Sequence, residues 1–467
     1  MHPPASRPLA GWLPALAAAA GAVVYLWLGW CAFPASNWNE LRLAPTFALV
    51  HGTTVYPPAD GGPLSTWIYG PVGLLANLPA TLASSATVAV GVAGAINLLV
   101  LVAPLAVLSF GLADLKADGG PPRVLALALA VLLLPATSLQ FQVADHAAIA
   151  LGLLACFCLA RAPGRGVLAA AALGVLAVGA KQTAVFLIPA QAAWLLAAGE
   201  GAAARRYVAW CLVLGAALFI VAGLAFGFPG LLVNLVQIPA RLPWGDIGDK
   251  LARRALLLAL HLTLPWLLLF WLHRRWHRPD RSSASGRLLG LAAFAGIALA
   301  PIGLVSLFKI GGDVNMLHWW FYLMPALVAA WLAVARPAPR AQALAVAIVL
   351  LARVPEFRSL PVQPQIAGLH HAERIARANP GRIWFPYNPL VTWFTDRRFY
   401  HVEDGIATRH LAGRGLREPT FRRHLPARLT AIVYPAGMAD HFALQLLPEF
   451  SEARAAGAWI IYTRPPK

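Results

Sequence analysis

The chain has 467 residues, 59% of them hydrophobic and only 12% charged, with a formal net charge of +18. A soluble domain carries about 25% charged residues, and the apolar residues here fall in runs near the length that crosses a ~30 Å hydrocarbon core. This excludes a soluble enzyme, and the basic residues, confined to short loops between runs and to the C-terminal tail, argue against nucleic acid as the partner.

Backbone groups in lipid must be satisfied internally, so the spans are expected as α-helices. The first run, 11–33, follows a single arginine, Arg7. It is longer than the apolar region of a cleaved signal and is read as a retained helix. Ten further spans are expected at about 86–111, 122–138, 146–160, 166–180, 184–198, 207–227, 254–272, 287–307, 318–334 and 338–355. The stretch "YGPVGLLANLPATLA" (69–83) looks like half a span but is broken by Pro71 and Pro79. It reads as a re-entrant or surface helix within one large loop, 34–85.

Lys and Arg orient the spans. Fourteen fall in loops on one side, five of them in "HRRWHRPDRSSASGR" (273–287), against seven on the other: Arg42, Lys181, Arg241, Lys250, Arg253, Arg254 and Lys309. The N-terminus is then cytoplasmic and the tail extracytoplasmic. From about 357 the composition changes. Short β-like stretches, "RIWF", "LTAIVYP" and "AWIIYTR", suggest a small α/β domain. This gives an all-α polytopic membrane protein, 1–356, with a soluble α/β domain, 357–467. The tail carries 15 Lys/Arg against 8 Asp/Glu, which serves either solubility or attraction to anionic headgroups.

The four cysteines, Cys31, Cys156, Cys158 and Cys211, lie in or beside apolar runs and imply no disulfide framework. No phosphate loop, dinucleotide fingerprint or zinc spacing is present. "GLHHAER" (His370, His371, Glu373) and "YHVEDG" (His401, Glu403, Asp404) carry metal-ligand residue types but read as solvated surface.

Polar residues gather on the outer side. Six acids lie there, Glu40, Asp60, Asp145, Asp246, Asp249 and Asp313, with six tryptophans, Trp30, Trp38, Trp67, Trp244, Trp319 and Trp320. Tryptophans suit an interface belt, and one or two also suit sugar stacking. Asp145 and His146 open the span in "LQFQVADHAAIALGLL". Lys181 stands in "GVLAVGAKQTAVFLIPA" with apolar residues on both sides, where a charge is costly. It either pairs with Asp145 or offers an ammonium to a phosphate-bearing ligand. "LFKIGGDVNMLHWWFY" places Lys309, Asp313, Asn315 and His318 around a Gly-Gly turn. "NWNELRLAPTFALV" (37–50) reads as a short helix along the membrane that holds Glu40 beside Arg42 at the water–lipid boundary. A carboxylate facing a cavity there suits a general base acting on a sugar hydroxyl. An Arg42–Glu40 contact that only shapes the loop is the other reading.

Taken together, a carboxylate after the first span, a large outer loop leading to "YGP" (Tyr69), Asp145, Lys181 with Thr183, "GGDVN" and a terminal extracytoplasmic domain resemble the C-type (GT-C) integral-membrane glycosyltransferases. The bacterial relatives of protein mannosyltransferases and lipid A aminoarabinose transferases are the nearest comparison. The resemblance covers nearly the whole chain, although its motifs are short. It implies an enzyme of the bacterial cytoplasmic membrane that takes a sugar from a polyprenyl-phosphate donor. A lipid, glycan or protein acceptor attacks with inversion. The base role carries to Glu40, the second-loop acid to Asp145 and the phosphate-facing lysine to Lys181. Many relatives have Asp, or an Asp-Glu pair, in the first loop. Here Asn39 precedes Glu40, which puts a first-loop metal in doubt; enzymes of this class divide between those that need a divalent metal and those that do not. A lipid-linked-sugar flippase and a non-catalytic envelope-assembly protein are the alternatives.

Overall fold

A computed structural model describes residues 8–65, 67–111, 120–245, 282–312, 314–323, 338–438 and 441–466, with isolated positions between 246 and 337. Among these residues, five helices are long and apolar enough to cross a membrane: Trp12–Ala35, Ala86–Gly111, Ala144–Arg161, Gly201–Phe226 and Ala284–Phe308. Shorter apolar helices cover Pro121–Leu133, Val167–Ala180 and Gln182–Ala197. The expected spans 254–272 and most of 318–334 lie outside the described residues, as does most of the basic loop 273–287. The others coincide with these helices except 338–355. That one falls on a helix, Pro339–Ser359, whose Arg340, Arg353, Glu356 and Arg358 make it the least apolar of the set.

Local chemistry explains the helix ends. Ser283 accepts a hydrogen bond from the Gly286 amide (3.0 Å) and caps the 284–308 helix. Gly227, at φ +80°, stops the 201–226 helix in a conformation that favours glycine. The carbonyls left over at the end of the helix at 120–133 are met by side chains. Arg353 donates to Leu132 O (2.6 Å) and Leu133 O (3.0 Å), and the Tyr25 hydroxyl donates to Leu134 O (2.9 Å). Glu356 neutralises Arg353 at 2.6 Å. Charges in the 339–359 helix are therefore spent on closing a neighbouring helix end, which is why its composition departs from that of a simple span.

The segment 69–83 forms a helical turn, Val72–Leu75, and a 3-10 helix, Leu78–Leu82. The Val167–Ala180 helix breaks at Lys181, whose backbone is extended, and a 3-10 turn, Gln182–Phe186, leads into Leu187–Ala197. Gln182 spans the break, its amide donating to Ile68 O (2.9 Å) and Leu235 O (3.2 Å). Irregular backbone at such depth is tolerated where it is buried in protein.

The C-terminal part holds a four-stranded sheet in the order β1-β2-β4-β3: β1 Ile383–Trp384, β2 Ala431–Pro435, β3 Glu452–Ala456 and β4 Trp459–Thr463. β1 runs parallel to β2, and the other pairs are antiparallel. β3 was not expected. Its Glu-Ala-Arg-Ala-Ala sequence lacks β-branched and aromatic residues, and pairing with β4 across the Gly457 turn draws it into the sheet. β2 is buried on both faces. Ala431 and Val433 share an apolar core with Phe33, Leu43, Phe47 and the start of the 86–111 helix, whereas Ile432 and Tyr434 pack with Trp384, Leu41 and Leu64. The region beyond 357 and the first loop thus form one continuous core, and the 339–359 helix crosses the expected domain boundary.

Replacing Arg353 with methionine removes the donors for Leu132 and Leu133 and strands Glu356. We expect a loss of roughly 3 kcal/mol, read as a lowered unfolding midpoint in detergent, with Lys at the same position recovering only part of it.

Candidate functional site

Lys181 occupies the break between the 167–180 helix and the 182–186 turn. Asp145 sits in the first turn of the 144–161 helix, where the helix dipole favours an anion. The two form an ion pair through Lys181 Nζ and Asp145 Oδ1, both buried. Asp145 Oδ2 is also buried and has no hydrogen-bond partner among the described residues. Two acceptor oxygens, of which one is engaged, leave this carboxylate half used.

Tyr69 lies across the pair. Lys181 Nζ is 5.5 Å from the centre of its ring, and Arg42 Cζ is 5.3 Å from the same ring. Both cations thus lie against one aromatic ring. The adjacent glycine makes this approach possible. A Cβ on Gly70 would stand 2.0 Å from Gly179 O, so only glycine lets the 67–71 loop seat against the broken helix end. Arg42 also reaches Asp404 at 3.5 Å and the Trp38 ring at 5.6 Å.

A second layer adjoins the first. His146 Nδ1 is 2.7 Å from Asn97 Oδ1, and the Asn97 amide donates to Ser138 O at 3.1 Å. That second bond orients the amide, so His146 carries its proton on Nδ1 and presents a lone pair on Nε2. His146 Nε2 is buried with no partner among the described residues. The His146 and His318 rings stack at 5.1 Å, and Met316 Sδ lies 3.7 Å from Lys181 Nζ.

The structure thus brings together Arg42, Tyr69, Asp145, His146, Lys181 and His318. Lys309 is elsewhere, donating to Pro239 O at 2.8 Å and facing Trp244. Arg241 is exposed at the end of the Ile238–Arg241 turn. Asp313 and the side chain of Asn315 lie outside the described residues, as do Asp246, Asp249, Lys250, Arg253 and Arg254.

The helix expected at 37–50 is present, and the Glu40 carboxylate is engaged by donors of the C-terminal part. It is 1% exposed. Its Oε1 accepts the amides of Leu390 (2.6 Å) and Val391 (3.0 Å), and Oε2 accepts the Asn388 side-chain amide (2.9 Å). Glu40 therefore closes the N-terminus of the helix Pro389–Asp396, some 350 residues on in sequence. Its neighbour Arg42 pairs with Asp404, and Asn39 is a staple that bonds Phe33 O, Gln140 O and the Gln142 amide at 2.6–2.7 Å. Burial pushes the Glu40 carboxyl up to about 7, against the pull of its three donors.

"YHVEDG" is likewise buried where solvated surface was expected. His401 Nδ1 accepts the Leu64 amide (2.9 Å), and Glu403 accepts the Tyr434 hydroxyl (2.8 Å) and the Phe442 amide. In "GLHHAER", Glu373 is buried and accepts the Thr87 amide at 3.0 Å. Both motifs are spent on fastening the C-terminal part to the first loop and the 86–111 helix. Among the described residues, no three His, Cys, Asp or Glu side chains group as a metal site. Sequence reasoning missed Asn97 and read Asp404, in "YHVEDG", as solvated surface. Asn97 carried a weak signal, an amide in the middle of an apolar helix. The pairing of Asp404 with Arg42 carried none, because the two are far apart in sequence.

No protein-family model matches this sequence, and no curated protein matches it. A solved structure does: the crystal structure of ArnT, a GT-C aminoarabinose transferase from Cupriavidus metallidurans, bound to undecaprenyl phosphate. The two are 12% identical and superpose with a TM-score of 0.60 over 97% of this chain and 99% of that one. The chain shares the fold of that structure.

Glu40→Gln keeps an acceptor for Leu390 and Val391 and offers its new amide to Asn388 Oδ1, which lacks a partner among the described residues. We expect it to fold with near-normal stability, while Glu40→Ala loses about 2–3 kcal/mol. A carboxyl raised in the folded state stabilises most below its ordinary value near 4.5, and that contribution fades as pH rises through about 7. The unfolding midpoint should therefore fall between pH 5 and 8, and Glu40→Gln should flatten part of that slope. Glu403, also raised to about 7 by burial, leaves a remainder of the same sign.

Proposed function

We propose that this chain transfers a sugar from a polyprenyl-phosphate donor to an acceptor hydroxyl at the outer face of the bacterial cytoplasmic membrane. The N-terminus is placed in the cytoplasm and the region beyond 357 outside it, on the Lys/Arg asymmetry of the loops. The observation that carries the reading is the placing of Arg42 and Lys181 against the Tyr69 ring beside the buried Asp145, in a fold shared with the ArnT structure.

Two cations on one aromatic ring suit a phosphate bridging them, since a charge-assisted bond to each gains in a low-dielectric setting. Phosphate arrival gives Lys181 a new counterion and releases Asp145 Oδ1. The acceptor oxygen then attacks the anomeric carbon, and the bond from that carbon to the phosphate oxygen breaks. Polyprenyl phosphate leaves with the electron pair, its charge held by Lys181 and Arg42. The hydroxyl proton passes to Asp145, the carboxylate with an unused oxygen at the cluster. His146 Nε2 offers an acceptor for a second hydroxyl of the sugar. Glu40 has no role in proton transfer here; it holds the helix that carries Arg42 against the C-terminal part.

Sugar transfer from a panel of radiolabelled polyprenyl-phosphate sugars into membranes tests this. We expect transfer from one donor by wild type, a loss of at least a hundredfold in Lys181→Met and in Asp145→Asn, and less than threefold change in Glu40→Gln. Full activity in Asp145→Asn contradicts the base assignment. Movement of labelled lipid across the bilayer without transfer from any donor favours a flippase instead.

A further inference from the structure

A cleft of about 600 Å³ opens at Trp38, whose ring Arg42 also contacts. It is lined by the end of the first span, the start of the 37–50 helix, residues 140–141 and the chain that leaves the 339–359 helix. In a protein with a net charge of +18, no charged side chain lines it among the described residues. Its polar groups are all neutral: Ser36, Asn37, Gln140, Ser359 and Gln365. Amides and hydroxyls both donate and accept. Ser36 Oγ has no partner among the described residues. Trp38 is 37% exposed and supplies an aromatic wall. The Trp27 and Trp30 rings lie 5.3 Å apart, tilted by 35°, next to this mouth, and Trp27 donates to Val362 O at 3.3 Å, which sets the cleft at the level of the membrane interface.

We propose that this cleft is a saccharide site that takes an uncharged, hydroxyl-rich acceptor. Its role as the acceptor site rests on the transferase reading above; its ligand chemistry does not. A phosphorylated or carboxylated glycan finds no cation in the cleft and must shed water from its charge without compensation. A prenyl chain would desolvate five hydrogen-bonding side chains for nothing in return. A neutral sugar satisfies both, with hydroxyls on the amides and an apolar face on Trp38. Trp38 is also the wall shared with Arg42, so an acceptor seated here abuts the place assigned to the donor phosphate.

The test uses the full chain in nanodiscs and three photoreactive diazirine probes: a neutral disaccharide, the same disaccharide with one sugar replaced by a glucuronic acid, and a prenyl alcohol. The account expects saturable labelling by the neutral probe of peptides containing 36–38 or 359–365, at least tenfold above the acidic probe. Asn37→Ala with Gln365→Ala should cut that labelling at least tenfold while undecaprenyl phosphate binding, followed by native mass spectrometry, is retained and shows the variant folded. If the pair loses both properties, Gln365→Ala alone decides by the same two readouts. Equal labelling by the acidic probe, labelling unaffected by the substitutions, or prenyl labelling at these peptides in place of saccharide overturns the proposal. Lys181→Met separates the two readings. Loss of lipid phosphate binding with saccharide labelling intact supports both. Unchanged lipid phosphate binding sinks the donor assignment and leaves the saccharide site standing.

Discussion

The buried ion pair between Asp145 and Lys181 is the constraint around which the rest is arranged. Two charges removed from water cost several kcal/mol each, and their mutual attraction repays that only with good geometry and further polar partners. The chain supplies those partners from distant places. A helix N-terminus sits under Asp145, the Tyr69 ring lies against Lys181, and Met316 closes one side. The broken helix at 180–187, the glycine at 70 and the 314–317 turn after the 284–308 helix make sense as devices that bring these groups to one point.

Holding that point requires the first loop and the C-terminal part to act as one body. Glu40 on the Pro389–Asp396 helix, Arg42 on Asp404, Glu373 on Thr87 and His401 on Leu64 are four ties across the same seam. Each joins residues more than 280 positions apart. The apolar core beneath them is shared, running from Phe33 and Phe47 through Val433 and Phe385. Arg42 is thereby fixed beside Tyr69 from two directions, by its own helix and by Asp404. Each cation at that ring also has a carboxylate partner, Lys181 in Asp145 and Arg42 in Asp404, so the seam holds the charges in place.

How much of this was legible in the sequence follows from solvation. Lys181 and Asp145 stood out because a charge in an apolar run needs a reason, and burial makes that reason local and chemical. Tyr69 and His146 were legible by their neighbours in the chain. The apolar helices were legible from their length alone. Glu40 drew notice for its setting, and its bonding partners gave no sign in the sequence. A carboxylate at a membrane boundary suggests chemistry, yet here its partner is a helix end that no nearby residue announces. β3 was invisible because Glu-Ala-Arg-Ala-Ala has no preference for strand, and its neighbour in the sheet imposes one. "YHVEDG" looked exposed because it is polar, whereas buried polar groups are as polar in sequence as surface ones and differ only in what they bond.

The most direct test of the central claim is an experimental structure of the full chain in lipid with undecaprenyl phosphate added. The account predicts phosphate density between Lys181 Nζ and the Arg42 guanidinium, beside the Tyr69 ring, with Asp145 no longer paired to Lys181. Phosphate held at Lys309 or Arg241 instead, with the Asp145–Lys181 pair unbroken, would contradict it.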